Sequence, residues 1–272
     1  MFTKTTMFAA FATLALSPAA AQAAVTLGTA GNFAVLAGST VTNTGSTIIN
    51  GGNVGVSPGT AITGFPPGSV TSAYTLDSAN AAASQAQSDL TTAYNAAAGL
   101  APTQNLTGTD LGGLTLTPGV YFFSTSAGLT GTLTLNDQGN SAAQFVFQIG
   151  STLTTASNAS VVVLNSGSTP DCNLFWQVGS SATLGTGTAF EGHILALTSI
   201  TLNTGASITN GSALARNGAV TLDANTISNC AGSSVSTGPA AVGQPATATL
   251  VLAGAALAGM YTLMTRCRSR WT

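Results

Sequence analysis

Thr183-Leu-Gly-Thr-Gly-Thr-Ala189 is one copy of a Thr-rich unit that recurs along the second half of the chain. Residues 151–227 hold four such copies, which begin 31, 18 and 20 residues apart. In chain order the copies are Thr152-Leu-Thr-Thr-Ala-Ser-Asn158, the quoted unit, Thr201-Leu-Asn-Thr-Gly-Ala-Ser207 and Thr221-Leu-Asp-Ala-Asn-Thr-Ile227, and the earlier Val41-Thr-Asn-Thr-Gly-Ser-Thr47 fits the same frame. A unit that recurs about every 20 residues is typical of a stacked solenoid.

The composition agrees with a tightly wound β-structure. Charged residues make up 4% of the 272-residue chain, whereas soluble domains carry about 25%. Low charge combined with 44% hydrophobic residues is the opposite of the balance that causes disorder. Small residues that pack flat, including 32 Gly, suit short strands separated by tight turns.

One segment reads as a helix. Residues 76–100 are rich in Ala, and neither Gly nor Pro interrupts them before Gly99. We predict a helix over about 77–98 with Asp77 or Ser78 as its N-cap and Gly99 as its C-cap. Its small-residue face predicts that it packs flat against one side of the solenoid. The residues at helical spacing on that face are Ala79, Ala82, Ala83, Ala86, Leu90, Ala93, Tyr94 and Ala97.

The N-terminus reads as a secretory signal peptide covering residues 1–23. Lys4 supplies the positive charge, Met7 to Leu16 is the apolar region, and Ala21-Gln22-Ala23 fits the cleavage site. We therefore expect a secreted or cell-surface protein whose folded domain spans residues 24–232.

The C-terminus reads as a linker over 233–245 followed by an apolar segment with an Arg cluster over 246–272. Residues 246–264 carry no charge and are long enough to cross a bilayer, and the arginines that follow would stay cytoplasmic. Three interpretations remain open: a membrane anchor, a sorting signal processed at the envelope, or a last buried helix of the domain.

Charged residues and cysteines limit the possible partners and cross-links. Arg216 is the only base between residues 24 and 245, and all seven acids lie there, so no basic patch for a nucleic acid exists. Cys172 and Cys230 lie in the domain, where they form either a disulfide or two buried thiols. Cys267, in the Arg cluster, is expected to be a free thiol or a lipidation site.

The central residues of the Thr copies predict a flat surface. If each copy is read as a strand, alternate residues point outward and neighbouring coils lie about 4.8 Å apart. The predicted outward set is Thr44, Ser46, Thr155, Ser157, Thr186, Thr188, Thr204, Ala206, Ala224 and Thr226. Such a grid of stiff β-branched side chains has hydroxyls that anchor water and methyls that favour a cage around them, as adsorption to ice requires. A purely structural or adhesive surface is the alternative.

Other candidate sites are less specific. Glu191 and His193 share one strand face, but the sequence places no third partner for a metal or an acid–base pair beside them. Asp137, Asp171 and Asp223 are read as turn or strand-edge acids rather than calcium ligands. No metal, cofactor or enzymatic activity is predicted. For a carbohydrate-binding adhesin, Trp176 and Tyr121 would have to be exposed to stack on sugars, and Trp176 is read as partly core.

Several motifs in chain order resemble the microbial ice-binding-like family. They are Leu27-Gly-Thr-Ala-Gly-Asn-Phe-Ala-Val-Leu-Ala-Gly-Ser39, Gly55-Val-Ser-Pro-Gly-Thr60, Leu116-Thr-Pro-Gly-Val-Tyr121, Phe175-Trp-Gln-Val-Gly179, Phe190-Glu-Gly-His-Ile-Leu-Ala-Leu197 and Gly218-Ala-Val-Thr-Leu222. The resemblance spans residues 25–230. It implies a mainly β fold: a discontinuous right-handed β-solenoid of triangular section with one long α-helix packed along it.

The same resemblance implies adsorption to ice through one flat face that carries Thr-Ala/Gly-x-Thr/Asn units. Units 44–47 and 155–158 fit that pattern, units 186–189 and 204–207 depart at the last position, and unit 224–227 departs at several. We therefore expect a monomeric, non-enzymatic protein whose partner is the ice surface with its ordered water. A cell-surface adhesin or matrix protein on the same scaffold is the alternative.

Overall fold

Short strands and tight corners alternate along most of the chain. The computed structural model describes residues 24–140, 142, 144–166 and 172–230. These residues include a 3-10 helix, Gly28–Asn32, and one α-helix, α1, Ala81–Ala98. The first strands are β1 Phe33–Ala37, β2 Thr40–Thr44, β3 Ile48–Asn50, β4 Asn53–Val56, β5 Ala61–Thr63, β6 Ser69–Val70, β7 Leu76–Ser78, β8 Gln104–Asn105, β9 Thr115–Leu116, β10 Gly119–Phe123 and β11 Ala127–Leu129. The remaining strands are β12 Thr132–Asn136, β13 Phe145–Ile149, β14 Leu153–Thr155, β15 Ser160–Leu164, β16 Leu174–Val178, β17 Ala182–Leu184, β18 Ala189–Ala196, β19 Ile200–Leu202, β20 Ser207–Ala215, β21 Val220–Asp223 and β22 Thr226–Ser228.

A complete coil of the chain contributes one strand, or one half of β18 or β20, to each of three faces. The coil β13–β14–β15 is an example, and its strands pair in parallel with β16, β17 and β18 of the next coil. Strands β11, β14, β17, β19, β21, β2 and β5 form the seven-stranded face. The helix face contains β8, β10, β13, β16, β1, β4, β7 and the second halves of β18 and β20, and the third face contains the rest. Three strands and three corners per coil give the solenoid a triangular section.

The stacking order differs from the chain order, so the solenoid is discontinuous as predicted. β1, β2 and β3 of the N-terminal coil pair with β20, β21 and β22 of the last C-terminal coil. The two N-terminal coils therefore extend the end of the stack that the chain builds last. β7 closes that end, and α1 carries the chain back to β8 at the opposite end.

Side chains that point inward fill the solenoid. The register places Tyr121, Phe147 and Trp176 above one another, with ring centroids 5.3 Å and 4.0 Å apart. Trp176 also contacts Phe190 at 4.8 Å. Tyr121 and Trp176 are both buried, which excludes the sugar-stacking role that the adhesin alternative requires of them. These rings instead set the width of the coils by filling the interior.

Helix α1 packs on the helix face through its small residues. Ala83, Ala86, Leu90, Ala93, Tyr94 and Ala97 are buried against the outward-pointing residues of that face, among them Val146, Phe175 and Leu214. Gln148 donates hydrogen bonds to the carbonyls of Ala97 (2.7 Å) and Leu100 (2.9 Å), which satisfies acceptors at the helix end. The predicted packing is thus confirmed for these six residues, whereas Ala79 and Ala82 are exposed.

The helix begins later than predicted. Its N-cap is Asn80, which accepts a hydrogen bond from the Ala83 N–H (2.9 Å), and neither Asp77 nor Ser78 caps it. The reason is pairing: Leu76–Ser78 adds a strand to β4, so this segment is extended. Asp77 instead accepts a hydrogen bond from the Asn80 side chain (2.7 Å) and so positions the true cap. Gly99 is the C-cap, as predicted.

A disulfide bond joins Cys172, before β16, to Cys230, after β22, with Cα atoms 6.0 Å apart. Of the two alternatives left open by the sequence, the disulfide is therefore correct. Within the described part of the chain, no helix has the length and apolar character needed to cross a membrane. The predicted signal peptide, the C-terminal segment and Cys267 lie outside the described residues.

Removing the disulfide should lower the free energy of unfolding by about 4 kcal/mol, because the bond closes a loop of 58 residues in the unfolded chain. Denaturant unfolding with and without a reductant measures this loss. The paired Cys172→Ser and Cys230→Ser variant is the control, since its stability should no longer respond to reductant. An equal response of both proteins to reductant would contradict the assignment.

Candidate functional site

The seven-stranded face alternates between core and surface residues. In β17, Ala182 and Leu184 are buried and Thr183 points outward, and β19 repeats the pattern with Ile200, Thr201 and Leu202. The period of two is that of a strand with one buried side. The apolar neighbours therefore hold each central residue of these strands outward.

Backbone pairing aligns these central residues into one line, which we call the threonine column. Its register runs through Gly128 and then six consecutive threonines on six neighbouring coils. The six are Thr154, Thr183, Thr201, Thr221, Thr42 and Thr63. Coils that pair by backbone hydrogen bonds lie about 4.8 Å apart, so the column repeats at that spacing.

Small residues flank the column on five coils, and of these residues only Asp223 is charged. Two residues before it lie Thr152, Ser181, Ser199, Ala219 and Thr40, and two residues after it lie Ala156, Gly185, Asn203, Asp223 and Thr44. Hydroxyls of neighbouring coils contact one another along the face, as between Ser126 and Thr152 at 2.8 Å. The resulting surface is flat and polar, and it is several columns wide.

Three of the ten residues predicted to point outward are buried, and for them the prediction is wrong. Thr155 is 3% exposed, and Thr188 and Ala206 are 0% exposed. The central residues of each copy do not form a strand. They span the corner between the seven-stranded face and the third face, where the chain turns. Thr188 and Ala206 point inward at this corner, and Thr155 points inward at the end of β14.

The inward-pointing corner residues hold adjacent coils together. The hydroxyls of Thr155 and Thr188 lie 2.7 Å apart, and the Gly185 N–H donates to the Thr155 hydroxyl at 2.9 Å. Buried hydroxyls need such partners, and these two also satisfy backbone groups of the turns. Their role is therefore structural.

The other seven predicted residues are exposed, but at different places. Thr44 lies on the seven-stranded face at the end of β2, and Thr226 lies on the third face in β22. The corner itself carries the remaining five, which are Ser46, Ser157, Thr186, Thr204 and Ala224. The structure thus brings most of these residues to the margin of the seven-stranded face rather than to its centre.

The sequence alignment of the copies missed the threonine column. It set Thr152 against Thr183, whereas the sheet pairs Thr154 with Thr183, a difference of two residues. The signal that would have found the column is the buried residue next to each outward Thr. Only the apolar residue that precedes each outward Thr aligns the copies correctly, since the sheet pairs Leu153, Ala182, Ile200, Val220 and Val41 in register.

The Glu191 and His193 pair does not form a metal or acid–base site. Within the described ranges, no group of three His, Cys, Asp or Glu side chains is placed to bind a metal ion. His193 is buried and contacts the Ser212 hydroxyl at 2.8 Å. Glu191 accepts a hydrogen bond from the Asn210 side chain (2.9 Å) on the third face. A β-bulge between Glu191 and His193 turns the chain at Gly192 (φ +97°), so the two side chains diverge.

The fold and this surface define a β-solenoid with a flat, Thr-lined face. Residues 35–228 match the protein family described as Ice-binding-like. An ice-binding protein from Nostoc sp. (strain HG1) is 54% identical over 245 residues, which cover 90% of this chain and 88% of the relative. The chain therefore belongs to the ice-binding-like family.

Solved structures agree with this assignment. An ice binding protein from an Antarctic biological consortium has a TM-score of 0.72 at 47% identity, over 79% of this chain and 96% of that one. The ice-binding protein of the Antarctic ascomycete Antarctomyces psychrotrophicus has a TM-score of 0.71 at 42% identity, over 75% of this chain and 98% of that one.

Stability should fall as the pH drops below about 6.5, because burial lowers the pKa of His193 to about 4 while a hydrogen bond with the Cys172 backbone acts in the opposite direction. The unfolded chain binds a proton at its ordinary pKa near 6.5, so acid favours unfolding before the folded imidazole is charged. Between pH 7 and pH 5 we expect a loss of about 2 kcal/mol in the free energy of unfolding.

Denaturant unfolding at both pH values measures this loss. His193 is the only histidine of the chain, so His193→Gln provides the control. The variant should be less stable at pH 7 and nearly insensitive to pH in this range. A variant that keeps the full pH dependence would show that another group causes it.

Proposed function

We propose that the protein adsorbs to ice through the seven-stranded face. The single observation that carries this proposal is the threonine column, six outward threonines on six successive coils. A repeated, uncharged and rigid array can order water at a regular spacing, which a scattered set of hydroxyls cannot do.

The physical basis is the pairing of hydroxyl and methyl groups on a stiff frame. Each Thr has few rotamers, and the buried residue beside it fixes the backbone, so the array is held in place before it meets ice. Spacing is about 4.8 Å between coils and about 6.6 Å between alternate residues of a strand. Hydroxyls bind water directly and methyls favour a water cage, so the bound layer resembles a solid.

The other two faces are less suited to ice. Helix α1 covers the helix face. The third face carries the charged Glu191 and the exposed apolar side chains of Ile48, Val162 and Leu164, which are 46%, 39% and 45% exposed. One register line of this face runs through Ser160, Ala189, Ser207, Thr226 and Ile48, so its residues differ in size and polarity from coil to coil, whereas the threonine column keeps one residue type.

The mechanism is adsorption without chemistry. A patch of the face that holds ordered water joins the ice surface, and the bound protein then pins the growing front between neighbouring molecules. Many weak contacts act together because the frame is rigid, so no catalytic group or cofactor is needed. The relatives named as ice-binding proteins share this scaffold, which supports the proposal.

We also propose that the protein acts outside the cell. The proposal rests on the signal-peptide pattern of residues 1–23, and the uncharged segment 246–264 with its following arginines would retain the protein at the envelope. Retention there would place the ice-adsorbing face at the cell surface, in contact with extracellular ice.

Replacing the central threonine of the column should remove most of the activity. In Thr201→Tyr a bulky ring stands above the plane and holds neighbouring coils away from the ice lattice. We expect the gap between freezing and melting temperatures to fall to less than roughly a fifth of the wild-type value, because the attraction between atoms in contact falls steeply as their separation increases. Microscopy of single ice crystals in protein solution measures the gap and the crystal shape.

The matched control is Thr209→Tyr, which places the same ring at an exposed position of β20 on the third face. It should shape ice as the wild type does. Equal loss of activity in the two variants would show that the seven-stranded face is not the adsorbing surface. Unshaped crystals around a folded wild-type protein would exclude the function itself.

A further inference from the structure

A single charged side chain lies within the strands of the seven-stranded face. The seven strands that form this face are all described, and Asp223 is the only Asp, Glu, Lys or Arg in them. Of the other described acids, Asp77 and Asp137 are buried, Asp89 lies on α1 and Glu191 lies on the third face. Asp110 lies beyond β11 at the end of the seven-stranded face, where its carboxylate accepts hydrogen bonds from the Thr130 N–H (3.0 Å) and hydroxyl (3.1 Å). Asp223 is thus the one carboxylate within the strands of this face, whereas Asp110 lies at its end.

The carboxylate lies among residues of the proposed ice-adsorbing surface. Asp223 points to the same side as Thr221, because Leu222 between them is buried. It pairs in register with Thr44 on the next coil. On the preceding coil, the Thr204 hydroxyl donates a hydrogen bond to Asp223 Oδ2. Two exposed threonines therefore flank it.

A carboxylate is poorly suited to contact with ice. Its charge is stabilised by water molecules that orient toward it, and removing those molecules without an opposite charge is costly. The ice lattice offers no counterion. The residues at the equivalent position of the two adjacent coils, Asn203 and Thr44, are neutral, so the fold itself does not demand a charge there.

We propose that Asp223 limits the ice affinity of this protein, an inference that rests on the proposed function. Asp223 keeps its own hydration shell when the face meets ice, and it holds the margin formed with Thr44 and Thr204 in liquid-like water. Contact with ice is then concentrated on the threonine column and on the column that contains Thr40. Removing the charge extends the adsorbing area toward the corner.

The test is Asp223→Asn, which keeps the shape of the side chain and an oxygen that accepts from the Thr204 hydroxyl. The variant should reach the wild-type freezing–melting gap at a concentration lower by roughly twofold or more, since charge desolvation no longer opposes adsorption. Glu191→Gln is the matched control. It removes the same charge from the third face and retains an oxygen for Asn210, so its activity should equal that of the wild type.

Asn203→Asp supplies the reciprocal test, because it places a second charge two residues after Thr201, where Asp223 follows Thr221. Its gap should shrink at every concentration, while circular dichroism and thermal unfolding verify that all variants are folded. Unchanged or reduced activity in Asp223→Asn, with an active wild type, would overturn this inference alone. A wild type without any gap would remove the proposed function and this inference together.

Discussion

Parallel backbone pairing in a fixed register is the constraint on which the rest of this structure depends. Each coil is hydrogen-bonded to the next through evenly spaced backbone N–H and C=O groups of parallel strands, so residues at equivalent positions lie above one another. A slip of one residue would turn Thr201 inward and Leu202 outward on that coil. The interior prevents such a slip, because Phe147 and Trp176 stack at 4.0 Å only in the observed register.

The corners follow from the same constraint. A coil that turns three times brings backbone polar groups into the interior, where they need partners. Asn225 is the partner of two such groups, because its side-chain amide donates to the carbonyls of Asn203 and Ala206, each at 2.9 Å. At the preceding corners of the stack the Thr155 hydroxyl accepts from the Gly185 N–H, and the Thr188 hydroxyl donates to the Ala156 carbonyl. The Thr-rich copies thus serve two purposes, and the surface array exists because other members of the same copies hold the turns.

The sequence predicted the architecture better than the surface. Small residues at helical spacing predicted the packing face of α1, and Gly99 predicted its end, because both signals are local. The start of the helix depends on pairing between Leu76–Ser78 and β4, which lies about 20 residues earlier and leaves no local mark. The threonine column was missed for a similar reason. Threonine counts do not reveal where a strand ends and a corner begins, whereas the apolar residue that precedes each outward Thr gives the register, as Leu153 and Ala182 do.

The discontinuity of the solenoid has a consequence for the surface. The threonine column crosses from Thr221 of the last C-terminal coil to Thr42 of the first N-terminal coil, and their hydroxyls lie 3.4 Å apart. Two of the six threonines, Thr42 and Thr63, therefore belong to the two N-terminal coils, which stack on the last C-terminal coil. Their place depends on α1, which returns the chain along the helix face and is held there by Gln148 and by Arg216, whose guanidinium lies 4.7 Å from the Tyr94 ring. The helix contributes no residue to the seven-stranded face, yet the length of that face depends on the helix, because a stack without the N-terminal coils would end at Thr221.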